Sequence, residues 1–264
     1  MLFRSQRLET EAQNMFQYFS NNKLIANPAK TAFIMFAPQK RIKGHKYSIK
    51  LDPQTVIMES DNERILGIEV QNTLEPEAHL NKLKEKVNYG LGKLKRLQNQ
   101  MRTKHLKMIG QGTIMSNINY GIQLYMASKV RLCKEEPLKE ELRSLQVKMN
   151  EMLRIILNIK RKDKRSVDYM LKKCDLLSIN QLACKSILLE LWKARNFNIE
   201  GIMKNFKYRD IPRFKDLFRT SKDPKSFVSV ASKLWEKSSK RFRDTNLISV
   251  AKKEAEKLAK TLPI

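Results

Sequence analysis

The residues able to do chemistry in this chain are mostly cations. Lysine and arginine number 53 against 27 aspartates and glutamates, a net charge of +26 and a pI near 10.0. They recur in groups: Lys40, Arg41 and Lys43; Lys82, Lys84 and Lys86; Lys93, Lys95 and Arg96; Lys160, Arg161, Lys162, Lys164 and Arg165; Lys237, Lys240, Arg241 and Arg243. Such an excess repels itself unless an anion offsets it. Nucleic acid does so by giving up a condensed counterion for each phosphate neutralised. Any one group alone reads as a solvated helix face. Over the whole chain the acids are too few to compensate, and the reading is a polyanionic partner.

Other chemistry is sparse. Lys30 follows an Asn27–Pro28 turn and, with Thr31, opens directly into the apolar run TAFIMFA. Taken alone it is a turn lysine whose stem packs on a strand. Asp52, Glu59, Asp61 and Glu69 form no obvious acid–base set, and no two aspartates are adjacent anywhere. Cys133, Cys174 and Cys184 are odd in number and far apart, which suits reduced thiols inside a cell. With His45, His79 and His105 they make no metal-ligand spacing, so no structural zinc is expected. No apolar stretch approaches the ~20 residues of a membrane span, and MLFRSQRLET lacks a secretory apolar core. The expected location is intracellular, in nucleus or cytoplasm, neither secreted nor on a membrane. The run KRKDKR could direct nuclear entry or simply be a solvated loop.

The elements that must position these cations follow from hydrophobic period. A hydrophobic content of 41% with 30% charged residues describes a folded chain. Leu8, Ala12, Met15, Phe16 and Phe19 share one face of a helix over 6–20, with Ser5 placed to cap it. Short extended runs follow: 31–37, 45–51 (Tyr47, Ile49 and Leu51 on one side), 55–59 and 64–70. Pro38, Gly44, Asp52–Pro53 and Asp61–Asn62 read as the turns between them. From Pro76 the period turns helical. Leu80, Leu83, Val87, Leu91, Leu94 and Met101 line one side of a long helix, with lysines opposite. Further helices are expected over about 104–127, after Pro137 (Leu138 to Ile156), around Ala183–Trp192 and over about 246–260, with IKRKDKR (159–165) as a charged break. The fold class is therefore α+β, mostly α: an N-terminal helix with a small antiparallel sheet, then a helical bundle and further helices.

In order, these pieces resemble the C-terminal part of the reverse transcriptase of non-LTR (LINE-type, jockey-like) retrotransposons. LETEAQNMFQYFSNNKLIANPAKTAFIMFAP resembles the helix, the N-K-L-x-x-N-x-x-K-T turn and the strand of the palm's motif D, matched by Asn22, Lys23, Leu24, Asn27, Lys30 and Thr31. ERILGIEVQNTLEPEAHLNKLKEKV is similar to the primer-grip hairpin and the start of the thumb, matched by Leu66, Gly67, Ile68 and His79. INYGIQLYMAS is similar to a thumb helix through Tyr120 and Gly121, although Leu124 and Tyr125 stand where the family often has a tryptophan. RSVDYMLKKCDLLSINQLACKSILLELWKARN resembles the helices beyond the thumb. The resemblance covers about residues 6–196. It implies three regions: a palm remnant at 1–74, a helical thumb-like region at 75–158 and a basic helical region at 159–264.

The resemblance also implies roles. Lys30 would stand beside the departing pyrophosphate as proton donor or charge stabiliser. Gly67 would let a nucleic-acid backbone approach within a strand, or mark a bulge. His79 would help start the thumb helix near phosphate, or be an interfacial histidine. Tyr120–Gly121 would be a site of close helix packing. Lys82, Lys86, Lys93 and Arg96 would grip an RNA template or RNA/DNA duplex by its phosphates without reading sequence. The family's chemistry needs magnesium ions held by an early aspartate and an adjacent aspartate pair. These would lie before Met1, so no cofactor is expected on this chain alone and no polymerase activity. Strands 31–37 and 64–70 should then show apolar surface that a fuller palm would cover. The expectation is a truncated, retrotransposon-derived fragment that keeps a template–primer surface. The alternative is a cellular basic helical protein, nucleic-acid-binding or scaffolding, without polymerase ancestry. An active enzyme would need aspartates from another chain.

Overall fold

The computed structural model describes residues 2–36, 47–51, 55–208 and 217–264, with side chains from Gln6 onward. The chain forms two compact units, Met1–His79 and Leu80–Ile264. It is α+β and mostly α, as expected.

The first unit opens with helix α1 (Leu2–Asn21). This helix already runs through Ser5, so Ser5 is not its cap. Two separate antiparallel hairpins follow in place of one sheet. Strand β1 (Ser48–Lys50) pairs with β2 (Val56–Met58), and β3 (Asn62–Ile65) pairs with β4 (Ile68–Gln71). The core here is small: Ile49, Leu51 and Ile57 are buried against Ala12, Phe16 and Phe33. Gln13 Nε2 donates to the Lys50 carbonyl at 2.9 Å and Lys50 N–H to Glu9 Oε1 at 3.1 Å, which fixes α1 along β1.

The stretch 31–36 is not the buried strand its composition predicts; Ala37 lies outside the described residues. Residues 31–36 are half-buried or exposed and meet the chain just past β2 through one parallel bridge, Phe33 to Glu59. An apolar run becomes a strand only when a neighbour pairs its whole backbone, and β2 is three residues long. The run 64–70 is likewise a hairpin, not one strand. Several large apolar side chains of this unit are exposed, among them Ile25, Phe36, Val56, Met58, Leu66 and Leu74. Of the expected turns, Asn62 belongs to β3, while Pro38 and Asp52–Pro53 fall outside the described residues, as do Gly44 and the cations Lys40, Arg41 and Lys43.

The second unit is helical. Its helices are α2 (Glu77–Leu97, whose first three residues belong to the first unit), α3 (Thr103–Gly110), α4 (Ser116–Asn119), α5 (Ile122–Tyr125), α6 (Glu140–Leu157), α7 (Val167–Cys174), α8 (Ile179–Asn196), α9 (Glu200–Met203), α10 (Phe227–Lys237), α11 (Lys240–Asp244) and α12 (Ile248–Thr261). The expected helix 104–127 is real but interrupted. A π-helical turn, Gln111–Met115, follows α3. Gly121, at φ 67°, then separates α4 from α5. Gly121 is thus a left-handed turn that follows the extended Tyr120, and Tyr120 is exposed.

Two cores share one helix. Residues of α2 to α7 and the first turn of α8 (Ile179, Ala183) form one apolar cluster. Cys184, Ile187, Leu188, Leu191 and Trp192 of the same helix form the second, with Phe218, Leu234, Trp235 and Phe242. The start of α8 carries a buried polar clamp. Ser178 and Gln181 cap it reciprocally. Asn180 accepts from Arg131 N–H at 2.8 Å and donates to the carbonyls of Arg131 and Pro263 at 2.8 and 2.9 Å. Gln181 donates to the Leu262 carbonyl at 3.0 Å. Within the second core, burial holds the Cys184 thiol neutral, its pKa pushed up to about 12.

Two expectations follow. A Cβ on Gly90 would stand 2.8 Å from Cγ1 of the fully buried Ile114, whereas one on Gly92 meets nothing within 4 Å. Gly92→Ala should stabilise the protein by about 0.5–1 kcal/mol. Gly90→Ala makes the same helical gain but must displace Ile114, and should lower stability by about 1 kcal/mol or more. Asn180→Ala leaves three buried backbone groups without their partner and should cost about 1–3 kcal/mol, read in each case by denaturant unfolding.

Candidate nucleic-acid interface

Helix α2 is where sequence and structure converge. Lys82, Lys86, Lys93 and Arg96 are all exposed. At 100° per residue they fall, with Tyr89, within roughly 40° of one line along the helix. Leu80, Leu83, Val87, Leu91 and Leu94 are buried on the opposite side. The apolar period that forces one face into the core therefore sets the orientation of the cations. From Lys82 to Arg96 the stripe is roughly 21 Å long at 1.5 Å per residue. Lys93 Nζ stands 4.3 Å from the centre of the Tyr89 ring. Glu85 lies beside the stripe and tempers its charge.

Where α2 ends, tertiary packing adds cations that sequence order keeps apart. A groove of about 370 Å³ is lined by Lys95 of α2 and Gln98 just past its end, with Glu151, Arg154, Asn158, Lys160 and Arg161. Gln98 Nε2 donates to Asn158 Oδ1 at 2.9 Å, closing this junction. Asn158 holds the left-handed end of α6, at φ 52°, and so turns the basic run 159–165 back toward α2. Arg154 was not among the residues singled out from the sequence. Its position at the last turn of α6 gives no signal until α6 is packed.

The two site residues of the first unit are separate from this surface in the chain and sit in turns. Lys30 ends a 3₁₀ turn, Pro28–Lys30, whose start is held by Asn27: its Oδ1 accepts from Ala29 N–H at 3.0 Å, and its carbonyl from Lys30 N–H and Thr31 Oγ at 3.0 Å. The Lys30 side chain is exposed. Gly67 is neither a strand glycine nor a bulge. With Leu66 it forms the two-residue loop of the β3–β4 hairpin, between the paired Ile65 and Ile68. Both loop residues have positive φ, 47° for Leu66 and 86° for Gly67, as a type I′ turn requires.

His79, in the first turn of α2, is buried, and its Nδ1 accepts from Glu69 N–H at 3.4 Å. It is an interfacial histidine tying β4 to the helix start. Glu69 is buried and accepts from Asn62 Nδ2 at 3.2 Å; Asp61 accepts from Asn72 Nδ2 at 3.0 Å. These carboxylates brace the hairpin. Among the described residues no group of three or more His, Cys, Asp or Glu could hold a metal ion, and no helix is long and apolar enough to cross a membrane.

Compared with protein-family models, with curated proteins and with solved structures, the chain matches none.

The hairpin tip gives a direct test. Leu66 bears a left-handed conformation that asparagine adopts far more readily, so Leu66→Asn should strengthen the β3–β4 hairpin by about 1 kcal/mol. Gly67→Ala should weaken it by about 1–2 kcal/mol. Amide exchange at Ile68 and Ile65 reads both changes.

Proposed function

We propose that this chain is the end of the palm, the thumb and the helical extension of a non-LTR (LINE-type, jockey-like) reverse transcriptase, binding a template–primer by its phosphates without the catalytic aspartates. The observation that carries the binding claim is the cationic stripe of α2, displayed directly opposite a buried leucine stripe. A rigid row of cations about 21 Å long suits repeated phosphates and reads no sequence. The basic groove at the end of α2 extends the same charge. The order of parts supports the ancestry: a helix, a lysine-bearing turn, a hairpin with Leu66–Gly67 at its tip, then a helical unit. The apolar side chains exposed in the first unit are those a larger palm surface would cover.

In this reading Lys30 is the motif D lysine, a cation on a capped turn able to offset pyrophosphate charge. Magnesium belongs to the parent enzyme's chemistry. The donor set here does not fit it, since no two aspartates are adjacent in the whole sequence. The chain's own residues bind and position nucleic acid; they carry out no transfer step.

Filter binding to an RNA–DNA hybrid at about 50 to 200 mM salt tests this. Affinity should fall steeply with salt. Replacing Lys82, Lys86, Lys93 and Arg96 together by glutamine should reduce the log–log slope by about 3 to 4, from ~0.9 per lost phosphate contact, with unfolding unchanged. Primer extension on a homopolymer template with magnesium should give no product. Absent or salt-independent binding would refute the binding claim, and any extension product would refute the inactive-fragment claim.

A further inference from the structure

The cationic stripe of α2 is not made only of cations. Tyr89 occupies its centre, between Lys86 and Lys93, and is 68% exposed. It is the one aromatic among the exposed positions of α2, and the core has no use for it: the buried side of α2 is filled by Leu80, Leu83, Val87, Leu91 and Leu94. The Lys93 ammonium stands 4.3 Å from its centroid, within cation–π range, so one face of the ring lies against a cation while most of the ring meets solvent.

We infer that Tyr89 is a stacking platform, and that the α2 stripe takes a single-stranded nucleic acid with a base laid on this ring. The inference rests on the phosphate-binding reading of the same stripe and makes it narrower. A duplex offers a helix only phosphates and groove edges, because its bases are stacked on one another; the ring would then have nothing to pack against. An unpaired strand offers both components at once, phosphates for Lys82, Lys86, Lys93 and Arg96 and a free base for Tyr89. The Lys93 ammonium serves both. It holds one ring face, and it stands beside the phosphate of the nucleotide whose base covers the other. Stacking reads no sugar hydroxyl and no Watson–Crick edge, so the site should accept unpaired RNA or DNA without sequence preference.

The test uses the full chain with an unstructured oligouridylate, an oligodeoxythymidylate of equal length and an RNA–DNA hybrid. Tyr89→Ala should weaken binding of both single strands by roughly five- to a hundredfold. It should leave the hybrid unaffected and the salt slope unchanged, because no cation is lost. Tyr89→Phe, which keeps the ring, should bind single strands within about twofold of the parent. Equal losses on single strand and hybrid, a loss that Tyr89→Phe shares, or no loss with Tyr89→Ala would each overturn the stacking role. Hybrid binding that survives alongside any of these results keeps the phosphate-binding reading and discards only this one. If neither single strand nor hybrid binds, both fall.

Discussion

The second unit depends on one constraint: α8 must be buried along its whole length. Ile179 and Ala183 of its first turns close the core built by α2 to α7, and Cys184 to Trp192 close the core built with α10 to α12. A helix buried on several sides has little solvated face, so its buried polar groups must find partners inside. Asn180 and Gln181 do so through the backbone of Arg131, Leu262 and Pro263. Trp192 Nε1 does so through the Thr245 carbonyl at 3.0 Å. At the margin, Lys185 and Glu256 pair at 2.7 Å between α8 and α12, and the lysine holds that carboxyl below its ordinary range. These directional bonds fix the rotation of α8 about its axis, which apolar burial alone leaves loose.

That fixed scaffold gives the basic surface its form. A cationic side chain is flexible, and its charge is useful only as far as its backbone is placed. Helix α2 is held by five buried apolar residues and by the close approach of Gly90 to Ile114. Its outward stripe is therefore a straight row, not a cloud of charge. Lys95, Arg154, Lys160 and Arg161 gain a second arrangement from the junction of α2 with the end of α6. A net charge of +26 would favour any polyanion; the row and the groove are what give the charge a shape.

The first unit contrasts with this. Among its described residues, three buried apolar side chains and two short hairpins make a small core. It keeps its local geometry through turn chemistry: the Asn27 cap of the Lys30 turn, the Leu66–Gly67 loop, and the Asn62–Glu69 and Asn72–Asp61 bonds that brace β3 against β4. Leu66 bears both a left-handed backbone and 86% exposure.

What the sequence by itself determined was whatever depends on near neighbours in the chain. The leucine period of 80–94 decided both that α2 is a helix and which cations face outward. The run Leu138–Ile156 did the same for α6, and Ala183–Trp192 announced a broadly buried helix. Asn27–Pro28 marked the turn that carries Lys30. What only the tertiary structure decided involves partners far along the chain. The apolar run 31–36 looks like a buried strand, but a strand needs a paired neighbour, and only Phe33 has one. Gly67 and Gly121 were legible as glycines, but their positive φ values, 86° and 67°, which make them turns, are seen only in the structure. The meeting of Lys95 with Arg154 and Lys160, like the clamp of Asn180 on Arg131 and Pro263, spans tens of residues and leaves no local periodicity. Short-range periodicity encodes which face a helix buries; it cannot encode which distant backbone will come to lie against it.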